Sequence, residues 1–184
     1  MGLFLAITFL AMLGLGAFEV GLSLRAGQQL GLSITTVGLL FTECALVMLL
    51  CQLIWSWRPG ALRHSLGWIK ALFIITSGSL VLLLYASDFL ALTLVIALFG
   101  IATGLLVPML AYRTSLAGGR RIGSALGWYT AVASLGQAAG SVVPGLAVGE
   151  EAVFLYWGVA AALVVSGMVV CRIAPRSFSN PPRS

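Results

Sequence analysis

Two glutamates, Glu19 and Glu43, lie inside long apolar stretches and are the strongest candidates for chemistry in this chain. If each stretch is a membrane helix, Glu43 falls near the middle of its span and Glu19 roughly 8 Å from the midpoint of its own. An ionised carboxylate at that depth costs at least ~2.5 kcal/mol unless protein or water solvates it, so such residues mark proton, cation or substrate sites. Loss of hydration favours the protonated carboxyl, which lets the group load and release a proton near neutral pH. Two interpretations stay open: a glutamate that couples proton movement to a solute or binds a cationic solute, or a permanently protonated glutamate hydrogen-bonded to a neighbouring helix.

A polar stripe recurs at helical spacing farther along the chain, at Thr130, Ser134, Gln137 and Ser141. Residues three and four apart share one face of a helix, and a polar face inside a bilayer needs protein or water beside it. Thr130, Ser134 and Gln137 are therefore candidates for proton coupling or substrate contact. The alternative is that the hydroxyl groups only join helices through interhelical hydrogen bonds.

Small residues and prolines mark two further stretches as sites of helix packing and bending. In membranes, glycines let neighbouring backbones approach closely, and a proline inside a helix produces a kink. We expect this packing or gating role at Gly100, Gly104, Pro108, Gly127, Gly136, Gly140, Pro144 and Gly145.

The composition places these residues in a membrane protein. The 184 residues are 60% hydrophobic and 8% charged, with a mean hydropathy of +1.10, whereas soluble domains are roughly 25% charged. A span of about 20 apolar residues crosses the ~30 Å hydrocarbon core. The sequence predicts an all-α, polytopic fold with a six-span membrane domain over 1–173 and a disordered cytoplasmic tail over 174–184. The predicted spans are about 3–24, 35–55, 68–86, 89–112, 122–143 and 152–173.

The charges predict the orientation of these spans. Nine of the ten Lys and Arg fall in the loops after spans two, four and six, and Arg25 alone falls on the other side. Because basic loops stay cytoplasmic, we expect both termini in the cytoplasm and the protein in the cytoplasmic (inner) membrane. The first span is not expected to be a signal peptide, since it lacks a basic n-region and a cleavage site. The net charge of +5 is explained by topology, which argues against nucleic acid as a partner.

Other classes of chemistry find little support. His64 is the only histidine and falls in a predicted cytoplasmic loop, which argues against a histidine-dependent metal centre, a haem site and a Ser-His hydrolase. Cys44, Cys51 and Cys171 are interpreted as packing residues rather than a disulfide framework. We expect no enzyme activity, no catalytic residues, no metal and no cofactor.

Six spans, the loop signatures and the glycine-rich fifth helix together resemble the carboxy-terminal half of a major facilitator superfamily transporter. The loop GALRHSLGWIK is similar to the family's cytoplasmic loop motif through Gly60, Leu62, His64 and Gly67, with His64 in place of the family's acidic residue. The helix motif G-x8-G-x3-G is kept at Gly127, Gly136 and Gly140, followed by Pro144 and Gly145. The resemblance implies two inverted three-helix repeats, with spans one and four lining a cavity, two and five flanking it, and three and six towards lipid.

The resemblance also implies that a second set of helices is needed, because a transporter of this family has two six-helix halves and this sequence supplies one. The second half is expected from a parallel homodimer or a separate chain. The favoured function is a half-size transporter that moves a small organic solute, coupled to protons, after pairing with that half. The alternative is a non-transporting membrane subunit that binds and organises a larger membrane protein complex through its helix faces, with the lipid bilayer as partner in either case.

Overall fold

A computed structural model describes residues 1–57, 66–146, 158–165 and 168, and the secondary structure of this part of the chain is helical throughout. A π-helical turn, Arg25–Gln29, extends the first long helix, and a 3-10 turn, Gly119–Arg121, separates the last two. Residues 158–165 are also helical. The long helices are α1 (Gly2–Leu24), α2 (Ile34–Trp57), α3 (Leu66–Tyr85), α4 (Phe89–Gly118) and α5 (Ile122–Leu146).

The helices are long and apolar enough to cross a bilayer. Segments Gly2–Gln28, Ile34–Trp57 and Gly67–Tyr85 each meet the length and hydropathy of a membrane span, and Phe89–Gly145 does so over the combined length of α4 and α5. The all-α membrane architecture expected from composition is therefore present. The predicted span at 152–173 lies mostly outside the described residues, and so do the tail and most of the loop before α3.

Local capping accounts for several helix ends. Asp88 is extended and its Oδ1 accepts a hydrogen bond from the Ala91 amide at 2.7 Å, which caps the start of α4. The Ser33 hydroxyl accepts from the Thr36 amide at the start of α2 in the same way. Gly119 has φ +53°, a conformation that suits glycine and ends α4.

Two helices continue past the ends expected from the sequence. The expectation that a basic loop begins at Arg113 is wrong, because α4 continues to Gly118 and Arg113 is buried inside it. The helix α5 also runs past the predicted span end at about 143, as far as Leu146. Pro144 has no N–H to donate to the Gly140 carbonyl one turn earlier, so α5 runs through it with one backbone hydrogen bond fewer.

The helix α4 is the centre of the bundle. It packs on α2, α3 and α5, while α1 makes its main contact with α5. We call the end that carries Lys70, Arg120 and Arg121 the basic end, and the opposite end, where α3 turns into α4, the Asp88 end. The helix α2 packs through one side only, and its buried residues are Leu40 and Trp55.

Glycines lie at two helix contacts where one backbone closely approaches another. A Cβ added to Gly136 or Gly140 of α5 would overlap the backbone carbonyls of Phe9 or Leu13 in α1, and Gly16 of α1 is equally close to α5. On the other side, a Cβ at Gly104 of α4 would lie 2.9 Å from the Cα of Met48 in α2. Both contacts need glycine because backbone meets backbone there.

Candidate functional site

The clearest polar contact in the bundle interior joins Glu19 of α1 to Gln137 of α5. The Gln137 Nε2 donates a hydrogen bond to Glu19 Oε2 at 2.9 Å. Both side chains are half-buried. The close glycine contact between α1 and α5 sets this geometry, because it brings Gly16, one turn before Glu19, against the Gln137 backbone. An amide donor that faces a carboxylate solvates its charge where lipid cannot.

Packing contacts place Glu43 at nearly the same depth as Glu19. Phe18, next to Glu19, stacks on Phe99 of α4 with ring centroids 3.7 Å apart and planes 4° from parallel. Gly100, next to Phe99, faces the backbone carbonyl of Cys44 in α2, at 3.3 Å from the position of an added Cβ. The residues beside the two glutamates therefore belong to one layer of the bundle.

Cys44, next to Glu43 on α2, belongs to the same layer, because its backbone carbonyl faces Gly100. Glu43 itself is half-buried and accepts no hydrogen bond from any residue in the described part of the chain. We name Glu19, Glu43, Cys44 and Gln137 the polar layer. It holds one carboxylate that has a fixed donor and a second carboxylate that has none within the described residues.

The remaining members of the polar stripe lie outside the polar layer. Thr130 and Ser134 are exposed on α5, and the Thr130 hydroxyl donates to the backbone carbonyl of Leu126 at 3.1 Å. Ser141 is half-buried and donates to the Gln137 carbonyl at 2.9 Å. The structure thus brings Gln137 to Glu19 and leaves Thr130 and Ser134 on the uncovered face of α5.

Comparison with known proteins shows to which family the chain belongs. A family model described as the Major Facilitator Superfamily matches residues 4–184. The chain belongs to the major facilitator superfamily. Searches of curated proteins and of solved structures give no match. The family assignment makes the chain a multi-pass membrane protein of transporter type, and its 184 residues fit one half of such a transporter.

The glycines predicted to pack this major facilitator chain fall into two groups. Gly100, Gly104, Gly136 and Gly140 are buried at helix contacts, whereas Gly127 and Gly145 are exposed, with no atom within 4 Å of an added Cβ. The residues of the G-x8-G-x3-G pattern therefore do different things. Gly136 and Gly140 admit α1, and Gly127 faces away from the described helices.

The two prolines also differ in their surroundings. Pro108 is half-buried inside α4, and the neighbouring Val107 carbonyl accepts a hydrogen bond from the Tyr129 hydroxyl of α5 at 3.1 Å. Pro144 is buried in the last turn of α5. Tyr129 thus links α5 to α4 beside the residue where a kink was expected, and the sequence contained no pairing signal that would have identified this contact.

The cytoplasmic loop motif predicted for the transporter lies mainly outside the described residues. Gly60, Leu62 and His64 lie outside the described residues. Gly67 is described and is exposed in the first turn of α3. The similarity of this loop to the family's motif therefore stays a prediction.

A clamp at the Asp88 end was missed by the sequence reasoning. The Arg25 side chain donates from Nε at 3.1 Å and from Nη2 at 2.9 Å to the backbone carbonyl of Ala86, just after α3. The sequence alone marks Arg25 only as the single basic residue on its predicted side of the membrane. A charged donor at the end of a helix satisfies a carbonyl that lacks an intrahelical partner, so Arg25 fastens the turn between α3 and α4 to the end of α1.

Proposed function

We propose that this chain is a half-size major facilitator transporter that moves a small organic solute, coupled to protons, after pairing with a second six-helix half. The observation that carries the proposal is the hydrogen bond between Gln137 and Glu19 at the depth where Glu43 also lies. Acidic side chains inside a membrane bundle are costly and mark pathways for protons or cations. Two of them in one layer support an exchange of proton and solute at that layer.

The two carboxylates have different surroundings, which supports a division of roles. Gln137 holds Glu19 in a fixed position, so Glu19 suits contact with the solute or with a proton that the solute displaces. Glu43 lies on α2, the least covered helix, and has no donor within the described residues. That exposure suits a carboxyl that takes up and releases protons as its surroundings change between wet and dry.

The orientation and the internal symmetry are part of the same proposal. The basic end carries Lys70, Arg120 and Arg121, and we place it at the cytoplasmic face of an inner membrane with both termini inside. The pairing of α1 with α5 and of α2 with α4, each through glycines, agrees with two inverted three-helix repeats. Thr130 and Ser134 would then border the solute pathway from the uncovered side of α5.

The test is solute-driven proton movement in liposomes. The purified protein is reconstituted with a trapped pH-sensitive dye, and panels of organic cations, carboxylates and neutral sugars are added in turn. A solute that moves with or against protons changes the internal pH. We expect the change to be lost or reduced at least tenfold in Glu43→Gln and in Glu19→Gln, because the amide cannot carry the proton.

Asp88→Asn serves as the matched control, since it removes a carboxyl at the helix cap and outside the polar layer. Its proton movement should equal that of the unchanged protein. Unchanged coupling in both glutamine variants would remove the role of the two glutamates, and no pH change with any solute in the panels would remove the transport proposal.

A second candidate function rests on the exposed apolar surface of α2. Large side chains along it, including Leu46, Leu50 and Ile54, are each more than half exposed. Such a surface also suits a non-transporting subunit that organises a larger membrane complex. Constant co-purification with one unrelated membrane assembly, together with no solute movement, would favour this second candidate.

A further inference from the structure

A groove runs along the surface of the bundle between α3 and the helical residues 158–165. Its volume is about 620 Å³, within the ~300–1,000 Å³ of ligand pockets. The α3 wall includes Ile74, Gly78 and Leu82, and the opposite wall includes Ala161 and Val165. We call it the α3 groove. It is open along one side, where Ile74, Leu82 and Val165 are each about half exposed, and it shares no residue with the polar layer.

The lining of the α3 groove suits an apolar occupant. Ser77 is the only lining residue with a polar side chain, and its hydroxyl donates to the Phe73 carbonyl of its own helix at 2.8 Å. The neighbouring Thr76 and Ser79 hydroxyls bond the same helix in the same way. A polar ligand would lose its hydration in this groove without gaining a hydrogen-bond donor.

Gly78 differs from the glycines that pack the helices together. A Cβ added to Gly104 or Gly140 meets the backbone of a neighbouring helix. Nothing in the described part of the chain lies within 4 Å of a Cβ added to Gly78. The opposite wall also has small residues, Ala160 and Ala161. Small residues on neighbouring helices usually let the helices close on each other, whereas here they form the floor of a channel.

The α3 groove covers the depth of one leaflet. Ile74, Gly78, Leu82 and Tyr85 follow one another at helical spacing, and all four are exposed. Tyr85 is the last residue of α3, at the Asp88 end, and tyrosines are enriched where a bilayer meets water. Ile74 lies eleven residues before Tyr85, about 16 Å along the helix, which is close to half of the ~30 Å hydrocarbon core. With Tyr85 at the interface, Ile74 therefore lies near the midplane.

A membrane helix of another protein fits this face less well than a lipid chain does. Such a helix crosses both leaflets, so it would follow the face of α3 past Ile74 to the exposed Lys70, one turn closer to the basic end. There it would have to accommodate an ammonium group inside the bilayer, which is costly. An acyl chain ends near the midplane and needs contact over one leaflet only.

We propose that the α3 groove binds one acyl chain of a phospholipid from the leaflet at the Asp88 end. The head group lies beside Tyr85, the chain crosses Gly78, and the methyl end of the chain lies beside Ile74. Dispersion contacts with both walls hold the chain, and the bound lipid stabilises the packing of 158–165 on α3. The site is separate from the polar layer, so it does not depend on the proposed transport.

The first test locates the chain in the unchanged protein by photo-crosslinking. Purified protein in detergent receives a few equivalents of a phospholipid whose acyl chain carries a diazirine either near the carboxyl end or near the methyl end. Mass spectrometry of the digested protein then identifies the labelled residues. We expect the first probe to label α3 around Leu82 and the second to label it around Ile74, because depth follows position along the chain.

Competition identifies the source of the chain. Unlabelled phospholipid should reduce the labelling at least tenfold more effectively than a free fatty acid of the same chain length, because only the phospholipid places a head group beside Tyr85. Equal competition by the fatty acid would overturn the assignment to a phospholipid. Labelling in the reverse order along α3, or labelling spread evenly over the described helices, would overturn the site.

The second test measures lipid retention by native mass spectrometry. Gly78→Phe fills the α3 groove, whereas Gly38→Phe adds the same side chain at an exposed glycine of α2 that also has open space around it. We expect Gly78→Phe to lower the fraction of protein that retains a phospholipid at least tenfold and Gly38→Phe to leave it unchanged. Gly78→Ala should also retain the lipid, because a single methyl group leaves room for the chain in a groove of this volume.

Three results of the retention test would overturn the proposal. These are equal retention in Gly78→Phe and Gly38→Phe, no phospholipid on the unchanged protein, and a co-purifying polypeptide that Gly78→Phe releases. The photo-crosslinking test uses the unchanged protein, so it decides the proposal even if Gly78→Phe fails to fold.

Discussion

The close contact between α1 and α5 can be tested by adding a single methyl group. In Gly140→Ala, the new Cβ would overlap the backbone carbonyl of Leu13. The overlap involves the Leu13 backbone rather than the flexible end of a side chain, so α1 and α5 must move apart. The hydrogen bond between Gln137 and Glu19 lies in the same interface and would be stretched by that movement. The substitution should therefore lower both stability and transport.

The size of the loss follows from two opposing effects. Overpacking of a well-packed interior costs about 1–3 kcal/mol. Replacing a helical glycine by alanine also gains up to ~1 kcal/mol through helix propensity. Gly78→Ala, at an exposed glycine with open space in α3, carries the second effect alone, so the difference between the two variants isolates the steric cost.

Thermal unfolding followed by circular dichroism in one detergent gives this difference. A cost of about 1–3 kcal/mol corresponds to roughly 2–12 °C in Tm for a chain of this size. We expect Gly140→Ala to melt below Gly78→Ala by that amount. Equal Tm values, or a higher Tm for Gly140→Ala, would refute the close backbone approach of α1 and α5.

Three further substitutions test single contacts of the fold. Tyr129→Phe should lower the free energy of unfolding by about 0.5–1.5 kcal/mol, because the Val107 carbonyl loses its donor; denaturant titration measures this. Arg25→Lys keeps the charge but loses the two-nitrogen fork on the Ala86 carbonyl, so hydrogen exchange should become faster in the turn between α3 and α4. Asp88→Ala removes the cap of α4 and should cost about 1 kcal/mol, with faster exchange in the first turn of that helix.

Each of these has a matched control. Tyr85→Phe removes the hydroxyl of a tyrosine that is 64% exposed and should leave the free energy of unfolding unchanged. Arg120→Lys makes the same replacement of a guanidinium by an ammonium at the basic end, and it should leave hydrogen exchange at the Asp88 end unchanged. Asp88→Ser keeps a side-chain acceptor and should retain most of the cap. A variant that behaves like its control would contradict the role given to that contact.

Much of the architecture could be predicted because membrane helices follow from composition. The apolar stretches gave the all-α class and the approximate positions of α1 to α5. The ends were less predictable, since polarity marks where a helix leaves the hydrocarbon rather than where the helix ends. Arg113 illustrates this point, because its charge indicated a loop whereas α4 continues past it for five residues.

The polar layer could be predicted only in part. The cost of burying charge singled out Glu19 and Glu43, and helical spacing singled out Gln137. Linear depth estimates assigned the two glutamates to different levels, while the contacts of Phe18 with Phe99 and of Gly100 with Cys44 place them in one layer. Spacing within one helix carries no information about which helices meet, so the pairing of Gln137 with Glu19 needed the structure.

The most direct test of proton-linked transport is accumulation of a solute against its gradient. Liposomes that contain the protein receive equal concentrations of an identified solute on both sides, and a pH gradient is then imposed. We expect the solute to accumulate on one side, reversal of the pH gradient to reverse the accumulation, and Glu43→Gln to abolish it. A solute that stays at equal concentration while it still exchanges across the membrane would contradict proton coupling.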